Sequence, residues 1–328
     1  MSELSNVYKP SANVCVKCHD RKPKIKGIEP SCELETEYLR TLYELLGMIE
    51  EDIENELMPL LKNLKETAPN ETYTYDAIYK ILDEDIENNP NWSTAVIAAI
   101  DTIVRKYDNP IFLDKYEQRM ESIVRRQMQL TSAGVVKVMV KSGVPKERII
   151  LQTTPKIRNI FQASVYENIN LIKSLPRQEL KNVTSIVTEA ILGGGNPTAI
   201  QEQLVHQFGV NRRRAKVIAR DQLGKINSDT ERARYEEQNI ELFKWSTSND
   251  RRVSGDPSGK YPKAKIKCYF ISRTQTKHGK GIYTLADGAT WAGETKLYPG
   301  RSHIQCRCTS IALIPGINYD PKRKLYLP

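Results

Sequence analysis

Nowhere in this chain do about 18 apolar residues follow one another, so no helix is expected to cross a bilayer. The first thirty residues lack a continuous apolar run ahead of a small-residue cleavage site, so a secretion signal is not expected either. Also missing are the usual marks of catalysis. No carboxylates pair at an obvious catalytic spacing, and no Ser or Cys nucleophile has a locatable base. Gly193-Gly194-Gly195 lacks the Lys-Ser/Thr of a nucleotide loop and reads as a helix stop. Six cysteines in 328 residues are too few for a disulfide scaffold and fall in two distant groups, Cys15, Cys18 and Cys32, then Cys268, Cys306 and Cys308. Reduced thiols or metal ligands are the better expectation for a chain of this size.

What is present is a folded composition with 39% hydrophobic residues and a lopsided charge. The net +9 divides into −12 over residues 33 to 110, +3 before them and +18 after them. A basic carboxyl-terminal part suits a polyanionic partner, because Lys and Arg that neutralise phosphates release counterions.

Apolar spacing predicts an α+β protein: a predominantly helical body, then a small mixed α/β module with short strands and Gly-rich loops. Residues 1 to 32, rich in Pro, Lys and Cys, read as an arm, 33 to 211 as the helical body, 212 to 314 as the module and 315 to 328 as an extended tail. Within the body, Leu34, Tyr38, Leu42, Leu45, Leu46, Ile49, Ile53, Leu57, Leu60 and Leu64 mark one helix face, with Pro59 expected to kink or split it. Further helices are predicted over 74 to 86, 93 to 104, from 112 past 124, and from 155 to 175, with Pro176 opening the next. Asn196 and Pro197 start a helix that Gly209 should stop, and Asn211 should cap another over 212 to 238. Beyond it, alternation predicts strands at 240 to 245, 267 to 271 and 309 to 313.

Arg212, Arg213 and Arg214 then open a helix after a tight turn, a placement like a helix-turn-helix reading head. Basic side chains match the positive helix end poorly, so an outside phosphate or acidic partner is expected, with Lys216 and Arg220 on the same helix. His303-x2-Cys306-x-Cys308, with Cys268 upstream, has the donors for a tetrahedral zinc site, His278 being an alternative ligand. A buried thiol pair with a hydrogen-bonded His fits the same residues. Cys15-x2-Cys18-His19 has haem-attachment spacing, but nothing speaks for an exported context. A zinc knuckle with Cys32 or an unliganded arm remain for it. Asp250 and Arg252 are expected to hold a turn after the strand that carries Trp245.

From Arg214 onward the order of features resembles the phage Mu F-like minor head module, also called the phage head morphogenesis domain. Its helix R-A-x-x-I-A-R is residues 214 to 220 here, followed by Trp245, the D-x-R-V of Asp250 to Val253, the Gly279-Lys280-Gly281 loop and the final His303 to Cys308 motif. Where many members place C-x2-C or a His soon after D-x-R-V, this chain has Ser254-Gly255-Asp256-Pro257 and its cysteine comes at Cys268. The resemblance covers about a third of the chain. It implies a low-copy, non-enzymatic virion protein at the capsid interior or portal vertex, formed in the host cytoplasm. Its implied partners are the portal protein, the major capsid or scaffolding protein and double-stranded DNA, with no membrane involved during assembly. A zinc-stapled nuclease using His278 or His303, and a helix-turn-helix DNA-binding protein, are the competing readings.

Overall fold

The computed structural model describes residues 26–61, 92–149, 151–192 and 197–327. Helices α1 (Cys32–Asp52), α2 (Trp92–Tyr107), α3 (Pro110–Lys141), α4 (Pro155–Leu192) and α5 (Pro197–Glu237) come first. There follow β1 (Leu242–Ser246), a short α6 (Cys268–Ile271), and strands β2 (Gln275–Thr276), β3 (Gly279–Lys280), β4 (Ile282–Thr284), β5 (Ala289–Trp291), β6 (Glu294–Leu297), β7 (Thr309–Leu313), β8 (Tyr319–Asp320) and β9 (Leu325–Tyr326). The α+β expectation is met. Among the described residues no helix is long and apolar enough to cross a membrane.

Several helix boundaries differ from the sequence expectation. Gly209 does not stop a helix: α5 runs unbroken through it, so the helix, turn, helix unit expected at Arg212 is not formed. A helical glycine costs about 1 kcal/mol relative to alanine. Against that, Ile200, Leu204, Phe208, Asn211, Ala215, Ile218 and Ala219 are buried at spacings of three and four, so one face continues across the glycine and favours a single helix. Pro176 likewise lies inside α4, between buried Ile172 and Leu175 on one side and Leu180 and Val183 on the other. Pro59 neither ends nor splits its helix, which widens into a π turn over Ile53–Leu57 and resumes to residue 61. That widening stands one turn ahead of the ring, where a regular turn would press the proline against a carbonyl. The helix expected at 74 to 86, the Gly193 to Gly195 stop, the Asn196 cap and the Cys15, Cys18 and His19 group lie outside the described residues.

The described chain forms two compact units, each assembled from separated stretches. One draws on residues 36–123 and 165–219, and among its described residues there are helices and no strand. Its buried side chains repeat with helical spacing, from Tyr38, Leu42 and Leu45 on α1 through Val96, Ile100 and Ile103 on α2 to Val183 and Val187 on α4. Its buried Tyr38 hydroxyl donates to Asn168 Oδ1 at 2.6 Å.

The other unit draws on the described residues before 36, on 124–164 and on the described residues from 220 onward. Its sheet is antiparallel in the order β4-β1-β7, with Phe243 opposite Ala312 and Trp245 opposite Ser310. Alternation along β1 sends Phe243 and Trp245 inward, where they join Val135, Val138 and Met139 of α3 and Tyr235 of α5 in one apolar core. Residues 26 to 31, expected to be part of an arm, are held here by side chains. Asn227 Nδ2 donates to the Ile28 carbonyl at 2.8 Å, and the Ser31 amide donates to Gln127 Oε1 at 3.1 Å.

Two expectations fail in this unit. Cys268–Ile271 forms the short helix α6 instead of a strand: the Phe270 and Ile271 amides turn onto the Lys267 carbonyl, while those of Cys268 and Tyr269 are taken by Ser254. The tail is not simply extended: β8 and β9 pair as a hairpin, and Tyr319 is buried. Asn318 secures the entry to that hairpin, accepting from the Ile314 amide and donating to the Ala312 carbonyl, both at 2.8 Å.

Candidate functional site

The described residues bring together Cys268, His303 and Cys306, whose donor atoms all lie within 4.8 Å of one another. Cys268 begins α6, and its amide donates to Ser254 Oγ at 3.1 Å. The loop carrying Ser254 is pressed against the residue before Cys268. Gly255 has φ +76°, and a Cβ there would stand 2.4 Å from the Lys267 Cβ, so only glycine fits. On the opposite side, the Cys306 amide donates to the His303 carbonyl at 3.1 Å, closing a turn that folds His303 and Cys306 onto one point.

That turn is fixed to α5. Gln305, at φ +58°, donates its amide to Asp221 Oδ1 at 2.9 Å. Gly224 and Gly300 approach so closely that a Cβ on either would lie 3.1 to 3.3 Å from the other's carbonyl oxygen. Asp250 supplies a third tie. It accepts the Arg252 amide at 2.8 Å and forms an ion pair with Arg307, the residue between Cys306 and Cys308. The Arg252 side chain itself is exposed. Trp245 is buried beneath and meets Tyr283 edge-on, with ring centroids 6.3 Å apart.

Within the cluster, Cys268 Sγ lies 3.3 Å from His303 Nε2 and 3.9 Å from Cys306 Sγ. Ser254 Oγ is 3.1 Å from the same His303 nitrogen, and Ser302 Oγ donates to Cys306 Sγ at 3.2 Å. The other ring nitrogen, Nδ1, is 2.9 Å from the Ile304 carbonyl and donates to it, which points Nε2 at the sulfurs. Cys308 is buried close enough to Cys268 and Cys306 to interact with both electrostatically, but it does not join the three donors that lie within 4.8 Å of one another. Burial disfavours the charged His303 ring, but the sulfurs of Cys268 and Cys306 outweigh it and carry the pKa up to about 11. Contacts with Cys268 and Cys308 hold the Cys306 thiol well below its ordinary range, while those with Cys268 and Cys306 push Cys308 up. His278, the alternative ligand, is not in this group, and its carbonyl accepts the Tyr319 hydroxyl at 2.8 Å.

The basic residues of α5 divide in two. Arg212 is ion-paired with Glu50, and Arg220 with Glu35 at 2.9 Å. Arg213, Arg214 and Lys216 are exposed and form no ion pair with another described residue. Sequence reasoning singled out all five together and could not tell the paired from the exposed. It also missed Ser254, Ser302, Asp221, Gly224 and Gly300. Asp221 and Gly224 stand one and four residues past the R-A-x-x-I-A-R helix motif, and that regular offset was the available signal.

Residues 181–311 match the family described as Phage Mu protein F like protein. An uncharacterized protein of Haemophilus influenzae is 36% identical over 103 residues, which are 31% of this chain and 23% of that protein. This chain therefore covers less than a quarter of that relative's length. No solved structure matches.

Proposed function

We propose, taking residues 181–311 as a Phage Mu protein F like domain of the head-morphogenesis type, that this chain is a minor head protein of a tailed phage. In this reading it sits by the portal, takes part in assembling the head and packaging or releasing its DNA, and touches that DNA without regard to sequence. Its other partners are the major capsid or scaffolding protein, and its place is the capsid interior or portal vertex. The observation that carries the reading is the coincidence of the family match with the tied constellation of α5, β1, the Asp250 turn and the His303 to Cys308 loop. These residues spend their side chains on holding one another, as a structural role requires.

For DNA contact, Arg213, Arg214 and Lys216 are the candidates, because Arg212 and Arg220 already neutralise Glu50 and Glu35. Their position in the middle of a long helix suits phosphate contact and gives no reading head for base edges. Co-expression with the portal protein of the same genome, followed by size exclusion with light scattering, tests the reading. Co-elution at a defined stoichiometry is expected. A well-folded chain that elutes alone would overturn portal association, and a plasmid-nicking assay with divalent metals would then take up the nuclease reading.

A further inference from the structure

We propose that Cys268, His303, Cys306 and Cys308 bind one zinc ion as a closed tetrahedral site whose role is structural. The inference stands apart from the head-assembly reading and would hold if that reading failed.

Zinc binds thiolate sulfur at about 2.3 Å and imidazole nitrogen at about 2.05 Å, which places tetrahedral ligands about 3.8 Å apart for two sulfurs and about 3.5 Å for sulfur and nitrogen. The Cys268 to Cys306 separation of 3.9 Å and the Cys268 to His303 separation of 3.3 Å lie close to both values. A disulfide between Cys268 and Cys306 would need the sulfurs at about 2.05 Å. The surroundings are those of a metal ligand set. The Nδ1 proton of His303 is committed to the Ile304 carbonyl at 2.9 Å, so Nε2, which faces Cys268 Sγ and Ser254 Oγ, is the nitrogen that would ligate once deprotonated. The Ser302 hydroxyl, 3.2 Å from Cys306 Sγ and 3.5 Å from Cys268 Sγ, is placed to donate to thiolates. Cys308, buried beside Cys268 and Cys306 but outside the group whose donors lie within 4.8 Å of one another, would complete a Cys3His set by turning its side chain to the ion, and four protein ligands would leave no open position for a reactive water.

The local fold gives the ion something to do. From Asn249 to Lys267 the chain has no regular element, and from Tyr298 to Arg307 it has none again. Strands elsewhere in the region are two to five residues long. A zinc ion joining α6 to the His303 to Cys308 turn would close a loop of more than thirty residues where little sheet exists to do so.

The test uses the full chain with Cys15, Cys18 and Cys32 replaced by Ser, so that only the three carboxyl-terminal thiols remain. Native mass spectrometry after exposure to zinc is expected to find one ion per chain, and cobalt in its place should show the intense d–d absorption of a tetrahedral thiolate site. Adding Cys306→Ser should abolish both signals. Should that variant fail to fold, alkylation of the folded three-Ser chain decides: bound zinc should protect all three thiols, and a chelator should expose them and lower the melting temperature. The proposal is overturned if the chain stays metal-free after zinc exposure, if Cys268 and Cys306 are found disulfide-bonded under reducing purification, or if Cys306→Ser keeps the ion.

Discussion

Among the described residues, the most deeply buried glutamates of the two compact units, Glu231 in one and Glu179 in the other, are treated differently. Glu231, in the mixed unit, accepts the Tyr235 hydroxyl at 2.9 Å and also a hydrogen bond from the Ile28 backbone. Glu179, in the helical unit, is 2% exposed, and neither of its carboxylate oxygens has a partner in good hydrogen-bond geometry. Burial raises both pKa values. That of Glu231 reaches about 8 against its two hydrogen bonds, and that of Glu179 about 7, where the charge of Glu50 adds to burial and the Gln207 side chain opposes it. The first carboxyl is a fastening, joining α5 to the segment at Ile28. The second is a burden on its unit, because an ionised carboxylate poorly supplied with donors is far costlier to bury than a neutral one.

The contrast can be broken first at Glu231. Glu231→Ala should cost about 2–3 kcal/mol, since it leaves the Tyr235 hydroxyl buried without an acceptor, and Glu231→Gln should cost much less. Chemical denaturation measures both, and equal losses would mean that the carboxyl fastens nothing.

A smaller effect of opposite sign is expected at Glu179. Its folded pKa of about 7 lies above the ordinary 4.5, so between those values the folded state holds a proton that the unfolded state has given up. Stability from this group is therefore greatest below pH 4.5, falls as pH rises through about 7, and then stays low. Glu179→Gln should raise the melting temperature by several degrees at about pH 8 and leave it nearly unchanged at about pH 4. Parallel melting curves at both pH values would show that Glu179 is ionised and partnered in the folded protein.

The smallest effect on stability, though not on binding, is expected at the exposed basic residues. Reversing Arg213, Arg214 and Lys216 to Glu should leave stability within about 0.5 kcal/mol of the parent, lower DNA affinity and flatten its salt slope by about 0.9 for each phosphate no longer neutralised. The same reversal at Arg212 should act mainly on stability, through Glu50. An unchanged salt slope in the triple variant would move DNA binding elsewhere on the surface.

Much of this architecture was legible one residue at a time. The period of three and four gave the helices their buried faces at Tyr38, Leu42, Leu45, Ile100 and Ile103, and the change to alternation marked β1 and β7. It misled at Gly209 and Pro176, where local punctuation was weighed above the continuity of the buried face on either side. The meeting of Cys268, His303 and Cys306 was legible from residue type and spacing, which allowed either a metal site or a buried thiol pair with a hydrogen-bonded His. Its supports were not, since a serine at 254 or a glycine at 300 looks like any loop residue until the partner strand or helix is in place.

By itself, then, the sequence determined the helical body, the short-stranded region beyond it and the identity of the donor residues, all of which follow from local periodicity and side-chain chemistry. Tertiary structure alone decided which arginines are spent on Glu50 and Glu35, which carboxyl is held and which is stranded, and that Asp221 and Gly224 should carry the turn bearing His303. Those pairings join residues tens to hundreds of positions apart, and no local pattern records them.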